Sequence, residues 1–198
     1  MRDGIAIQVG LHTTIEYLYL TRPNWRDLHK AQLNVNKLPE HLHRFDRWLL
    51  YAVDSDPRSI DHILKSYKLN DHVQVICTHI YHDRRIIRTY EAFEDQPFYP
   101  YVPTIQPNDF INRLELEHID ALKLDIEGTE LELFTYWLPD ITPTFIAVET
   151  HNEIITKELQ GFLTKVRGYE IVYEQPTNER DGKAYTHETH FLLSESTT

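Results

Sequence analysis

The strongest constraint on the fold is a unit that recurs along the chain: a short apolar run, a turn carrying glycine or an acid, and a stretch with helical spacing. It occurs first at residues 5–20, where IAIQV runs into Gly10 and is followed by Ile15, Leu18 and Tyr19 three and four apart. It returns as WLLYAV at 48–53 with a helix at 59–67, and as IDALKL at 119–124 with a helix at 130–137. A fourth copy is TFIAV at 144–148 with a helix at 153–166. VQVIC at 73–77 adds a strand, and residues 85–90 read as a hairpin arm before an aromatic and proline-rich loop at 93–103. A helix opens at Pro107 and Asn108. Two last strands, 169–174 and 187–193, flank a polar turn at 178–182 with no helix between them.

Helical crossovers of this length force successive strands parallel and right-handed, whereas the final pair must be antiparallel. The expected fold is therefore an α/β, Rossmann-like, doubly wound and mostly parallel seven-stranded sheet with an antiparallel C-terminal strand. With 198 residues, few glycines and no repeat or linker, the chain reads as a single domain, residues 1–198. Residues 21–47, with two prolines and little periodicity, read as an excursion with one short helix, able to serve as a lid.

In such sheets ligands settle outside the carboxyl ends of the strands, where the loops diverge. The polar groups expected there are residues 8–14, Asp54 and Asp56, residues 79–83, the acids of DIEGTE, and Glu149 and His151. Asp54 is placed to accept ribose hydroxyls, while Asp56, next to Pro57, is placed to cap the following helix. Asp125, Glu127 and Glu130 suit either a reaction centre or the N-terminal dipole of the next helix. His151 suits a general base or a helix-start histidine. Tyr17, Tyr19 and Trp137 fall at helical spacing and read as core aromatics.

Three blocks resemble the FkbM-type methyltransferases, a class I S-adenosylmethionine-dependent family: YAVDSDPRSIDHILKSYKLN at 51–70, PTIQPNDFINRLELEHIDALKLDIEGTELEL at 103–133 and FIAVETH at 145–151, with GYEIVYE at 168–174 in support. The resemblance implies transfer of a methyl group to oxygen, often a hydroxyl of a sugar or natural product. It implies Asp54 at the cofactor ribose, Asp83 near the adenine, and Asp125 and Glu127 at the transfer site beside Glu149 and His151. Where class I enzymes carry an acid and two glycines in the first loop, this chain has Gln8, Gly10 and Thr14. Loss of the carboxylate and added bulk at Thr14 predict weakened cofactor binding.

A formal charge of -11 argues against nucleic acid as a partner and leaves a small molecule or saccharide as the expected substrate. A lone cysteine, Cys77, and the lack of an apolar run near the roughly 20 residues that span a bilayer point to a cytoplasmic protein with no membrane partner. His79 with His82 and His187 with His190 are spaced for a helix face but fall in strands or turns, so no metal site is expected from them. The alternatives to a methyltransferase are a non-catalytic binding module with a degenerate cofactor loop and, more weakly, a metal-dependent enzyme using Asp125, Glu149 and His151.

Overall fold

The computed structural model describes residues 3–32, 37–80, 86–88, 101–126, 129–137, 142–180 and 183–194, with backbone alone at 86–88, 101–103, 136–137, 177–180 and 183–185. The elements run β1 (Gly4–Val9), α1 (Trp25–Lys30), β2 (Trp48–Asp54), α2 (Pro57–Ser66), β3 (Val73–Cys77), β4 (His79–Ile80), β5 (Ile86–Arg88) and β6 (Tyr101–Ile105). They continue as α3 (Pro107–Arg113), β7 (Ala121–Leu124), α4 (Glu130–Trp137), β8 (Phe145–Thr150), α5 (Glu153–Lys165), β9 (Tyr169–Arg180) and β10 (Lys183–Leu193). Seven strands form one sheet in the order β3-β2-β1-β7-β8-β10-β9. β3, β2, β1, β7 and β8 are parallel, and β10 runs antiparallel to both β8 and β9. The mostly parallel Rossmann-like sheet expected from the alternating units is the sheet observed. A small second sheet, β4-β6-β5, carries the hairpin arm. The end of the proline-rich loop, expected to be irregular to residue 103, is strand from Tyr101, because its backbone pairs with both β4 and β5.

Alternate side chains of each strand point to opposite faces, so each face has its own core. On one face Ile5, Ile7, Val9, Leu122, Leu124, Ile146 and Val148 meet Phe110, Leu133, Phe134, Leu159 and Leu163 of the helices. On the other face the sheet offers Ala6, Ala52, Ala121 and Ala147, whose small side chains leave room for Tyr17, Trp25, Leu42 and Phe45. Trp25, Leu38, Leu42 and Phe45 come from the 21–47 excursion and are buried. This segment therefore supplies much of the core layer on that face, together with Tyr17, Tyr19, Leu20 and Ile63 from outside it.

The helix expected over 13–20 is instead a tight 3-10 turn at Glu16–Thr21. The reason is local: Thr14 N–H closes a turn on the Leu11 carbonyl at 2.7 Å, and Tyr17 N–H is drawn to the side-chain oxygen of Gln8 at 3.3 Å. An α-helix starting at 13 would need that amide for its own ladder.

Candidate functional site

The carboxyl edge of the sheet is assembled around Gly10. Its N–H donates to the Val53 carbonyl at 3.0 Å, and Asp125 N–H donates to the Val9 carbonyl at 3.0 Å, so β2, β1 and β7 end side by side. Asp54 and Asp125 consequently stand on one edge, on either side of Gly10. Gly10 has φ +83, and a Cβ there would lie 1.6 Å from the Asp125 carbonyl oxygen. Only glycine permits both the backbone angle and that approach.

Asp54 is buried and its carboxylate gathers the first loop. Oδ2 accepts the amides of Leu11 at 2.8 Å and His12 at 3.1 Å, and Oδ1 accepts that of Asp56 at 2.7 Å. Burial pushes its pKa up, and these three amides pull against that shift. His12, with φ 46, adopts the left-handed turn this arrangement requires. Asp56 caps α2, accepting the Arg58 amide at 2.8 Å and the Arg58 guanidinium as well. Gln8 is equally committed: its Oε1 takes Tyr17 N–H, and its Nε2 reaches the Thr14 carbonyl at 3.5 Å. Both ends of that amide serve the loop, while the Thr14 side chain is exposed.

Across the edge lies an acid–imidazole–acid arrangement. His151 follows β8 and presents Nε2 to Asp125 Oδ1 at 3.5 Å and Nδ1 to Glu130 Oε1 at 3.6 Å. Glu130 is fully buried at the start of α4. Burial, and then the neighbouring Glu149, raise the Asp125 carboxyl to about 7, against the opposing pull of His12, His151 and Lys123. Its buried Oδ1 accepts no hydrogen bond among the described residues. A carboxyl that titrates near neutrality beside an imidazole can hold or release a proton at physiological pH.

Of the residues expected at the site, Gln8, Gly10, Thr14, Asp54, Asp125, Glu149 and His151 do converge on this edge. Asp83 and Glu127 lie outside the described residues. The sequence leaves Glu130 between a reaction centre and the helix dipole; in the structure it stands three and four residues before the buried Leu133 and Phe134, on the inward face of α4. Sequence reasoning missed Lys123, a lysine inside the otherwise apolar strand ALKL, and its partners Glu16 and Glu188. No group of three or more His, Cys, Asp or Glu that could hold a metal ion occurs among the described residues. No helix among them is long and apolar enough to cross a membrane.

Residues 8–171 match the methyltransferase FkbM domain. The chain belongs to that family. FkbM-domain proteins are S-adenosylmethionine-dependent methyltransferases, and the match takes in both the first loop and the Asp125–His151 edge. Solved structures agree at the level of fold. M. capricolum TrmK, in complex with S-adenosyl-homocysteine, superposes with a TM-score of 0.51 at 15% identity over 98% of this chain and 64% of its own. The Methanococcus jannaschii fibrillarin pre-rRNA processing protein gives 0.51 at 13% identity, over 97% of this chain and 67% of its own. A Methanobacterium thermoautotrophicum precorrin 8w decarboxylase gives 0.50 at 14%, over 96% and 82%. No curated protein sequence matches the chain.

Proposed function

We propose that this FkbM-family protein is an S-adenosylmethionine-dependent O-methyltransferase acting on a hydroxyl of a sugar or other small polyhydroxylated molecule. The observation that carries the reading is Asp125 Oδ1: a buried carboxylate oxygen with no hydrogen bond among the described residues, at the strand edge beside the glycine turn and next to an imidazole. Burying such an atom unsatisfied costs about 1–3 kcal/mol, which a ligand's donor would offset.

The residues present fit the cofactor. Asp125 Oδ1 offers an acceptor for an ammonium group. Asp54 spends three of roughly four acceptor sites on backbone amides and keeps one for a ribose hydroxyl. Gly10 keeps a side chain out of the way. Gln8, standing where the class I acid would meet the cofactor's amino group, holds the loop instead, and Asp125 is the residue we assign to that role. The bound cofactor would supply an electrophilic methyl group, giving it up from its sulfonium sulfur to leave S-adenosyl-homocysteine. His151 Nε2, on the Asp125 side of the ring, would take the proton from the acceptor hydroxyl as its oxygen forms the new bond to carbon. Glu130 behind Nδ1 would stabilise the charged ring. Most of the acceleration would come from placement.

Calorimetric titration with S-adenosylmethionine and S-adenosyl-homocysteine, followed by methyl transfer to a panel of monosaccharides and polyols, tests the reading. Binding at micromolar cofactor is the expected result. The rival, a non-catalytic binding module, draws on the commitment of Gln8 and most of Asp54 to the loop, and absence of binding at millimolar cofactor would favour it.

A further inference from the structure

The first loop lacks the acid and the second glycine of the class I pattern, yet it sits on a buried ionic chain reaching across the sheet. Lys123 lies on β7 with its Cα paired to Gln8 of β1 on one side and to Ala147 of β8 on the other, so all three share the face that carries Tyr17. Its side chain is 3% exposed, and Nζ stands 2.8 Å from Glu16 Oε2 and 3.4 Å from Glu188 Oε1. Glu188, itself 1% exposed, is also approached by His190 Nε2 at 2.9 Å. Glu16 is the first residue of the 3-10 turn that ends the loop. Burial alone would strip the proton from a lysine. Glu188 and Glu16 outweigh it and hold Lys123 charged well above its ordinary range.

An ion pair at such depth is weak grounds for stability in itself, because desolvating both charges cancels most of the attraction, whereas removing one partner is costly. What the pair does supply is a fixed position. The loop from Gly10 to Glu16 is gripped on its near side by Asp54 through Leu11 and His12, and on its far side by Gln8 through Thr14 and Tyr17. Glu16 is the remaining end, and Lys123 is the group that receives it.

We propose that Lys123 is a positioning residue for this chain's cofactor loop, anchoring it through Glu16 while Glu188 balances the second side of the ammonium. Gln8, being neutral, cannot pair with the lysine beside it, and the loop's own Glu16 takes that part. The proposal rests on reading residues 10–16 as the cofactor loop, but the anchoring is measurable without cofactor.

The decisive variant is Glu16→Ala, which cuts the link to the loop and leaves Lys123 paired with Glu188. Amide hydrogen exchange of the free protein should speed up about tenfold across residues 11–18 with β8 and β10 unchanged, and Glu16→Asp should restore part of the protection. Binding of S-adenosyl-homocysteine should weaken by a similar factor. Unchanged exchange at residues 11–18 would overturn the anchoring. A Glu16→Ala protein that loses its cooperative melt altogether would overturn it too, since an anchor for one loop leaves the sheet standing. If the wild type binds no cofactor while Glu16→Ala still loosens the loop, the anchor stands and the methyltransferase reading falls.

Discussion

Two glycines with similar backbone angles separate the cost of conformation from the cost of crowding. Gly10 has φ +83 and Gly168 has φ +74, so replacing either with alanine forces an L side chain into the left-handed region, at about 1–2 kcal/mol. Alanine also narrows the unfolded ensemble by about 0.4–1 kcal/mol in both cases, and that contribution cancels in the comparison. Their surroundings differ. A Cβ at Gly168 meets nothing within 4 Å, whereas at Gly10 it falls 1.6 Å from a backbone oxygen of Asp125, far inside the 3.0 Å below which real Cβ atoms essentially never approach. The strand ends must part by more than an ångström, breaking the Val9–Asp125 ladder bond or the Gly10–Val53 one. Overpacking of this kind costs about 1–3 kcal/mol or more. Gly10→Ala should therefore lose roughly 1–3 kcal/mol more than Gly168→Ala, read as midpoint shifts in guanidinium denaturation with unchanged slope. Equal losses would refute the claim that the first loop and the Asp125 strand end are in direct backbone contact.

Asp125→Asn should remove a pH dependence. With its folded pKa at about 7 and an unfolded value near 3.8, the native state holds the extra proton, so its contribution is full below about pH 4 and is lost as pH rises through 7. That amounts to about 4 kcal/mol across the window. Denaturation at pH 5 and pH 8 should show the variant gaining on wild type at pH 8, and an identical pH slope would refute it. Trp25→Ala removes a fully buried ring from the 21–47 segment and should cost about 3–5 kcal/mol in thermal or chemical melts. A loss below about 1 kcal/mol would mean that the segment is a detachable lid. His151→Gln should cut methyl transfer by about a hundredfold or more and flatten its pH profile near neutrality, with Glu130→Gln moving the profile's acid limb. A rate and profile equal to wild type in His151→Gln would end the general-base role.

The sheet was legible in the sequence because its strands are apolar runs punctuated by Gly10, Pro57 and Pro107, signals that act within a few residues. Asp54 and Asp125 were legible for the same reason: each closes such a run, and parallel strands share a carboxyl edge. The first loop was not. Spacing of Ile15, Leu18 and Tyr19 indicates an α-helix, but the amide of Tyr17 is claimed by a side chain nine residues earlier. Lys123 and Glu188, 65 residues apart, meet only after β7, β8 and β10 have assembled. Glu130 lies in a cluster of acids that local rules leave between helix capping and chemistry, and only the tertiary packing of α4 brings it to His151.

The register of the parallel strands also acts as a ruler. Asp54 closes β2 and Asp125 follows β7, with β1 between them, so their backbones are two strand spacings apart, roughly 10 Å. His151, after β8, adds a third step. A free amino acid is too short to bridge the first two carboxylates, and a bare nucleoside reaches one of them at a time. A molecule joining a ribose to an amino-acid tail has the length to touch both, with its middle left facing the third step. Affinity at this edge should therefore depend on how far a ligand extends along the row of strand ends, and fragments supplying either half alone should bind far more weakly than the two halves joined.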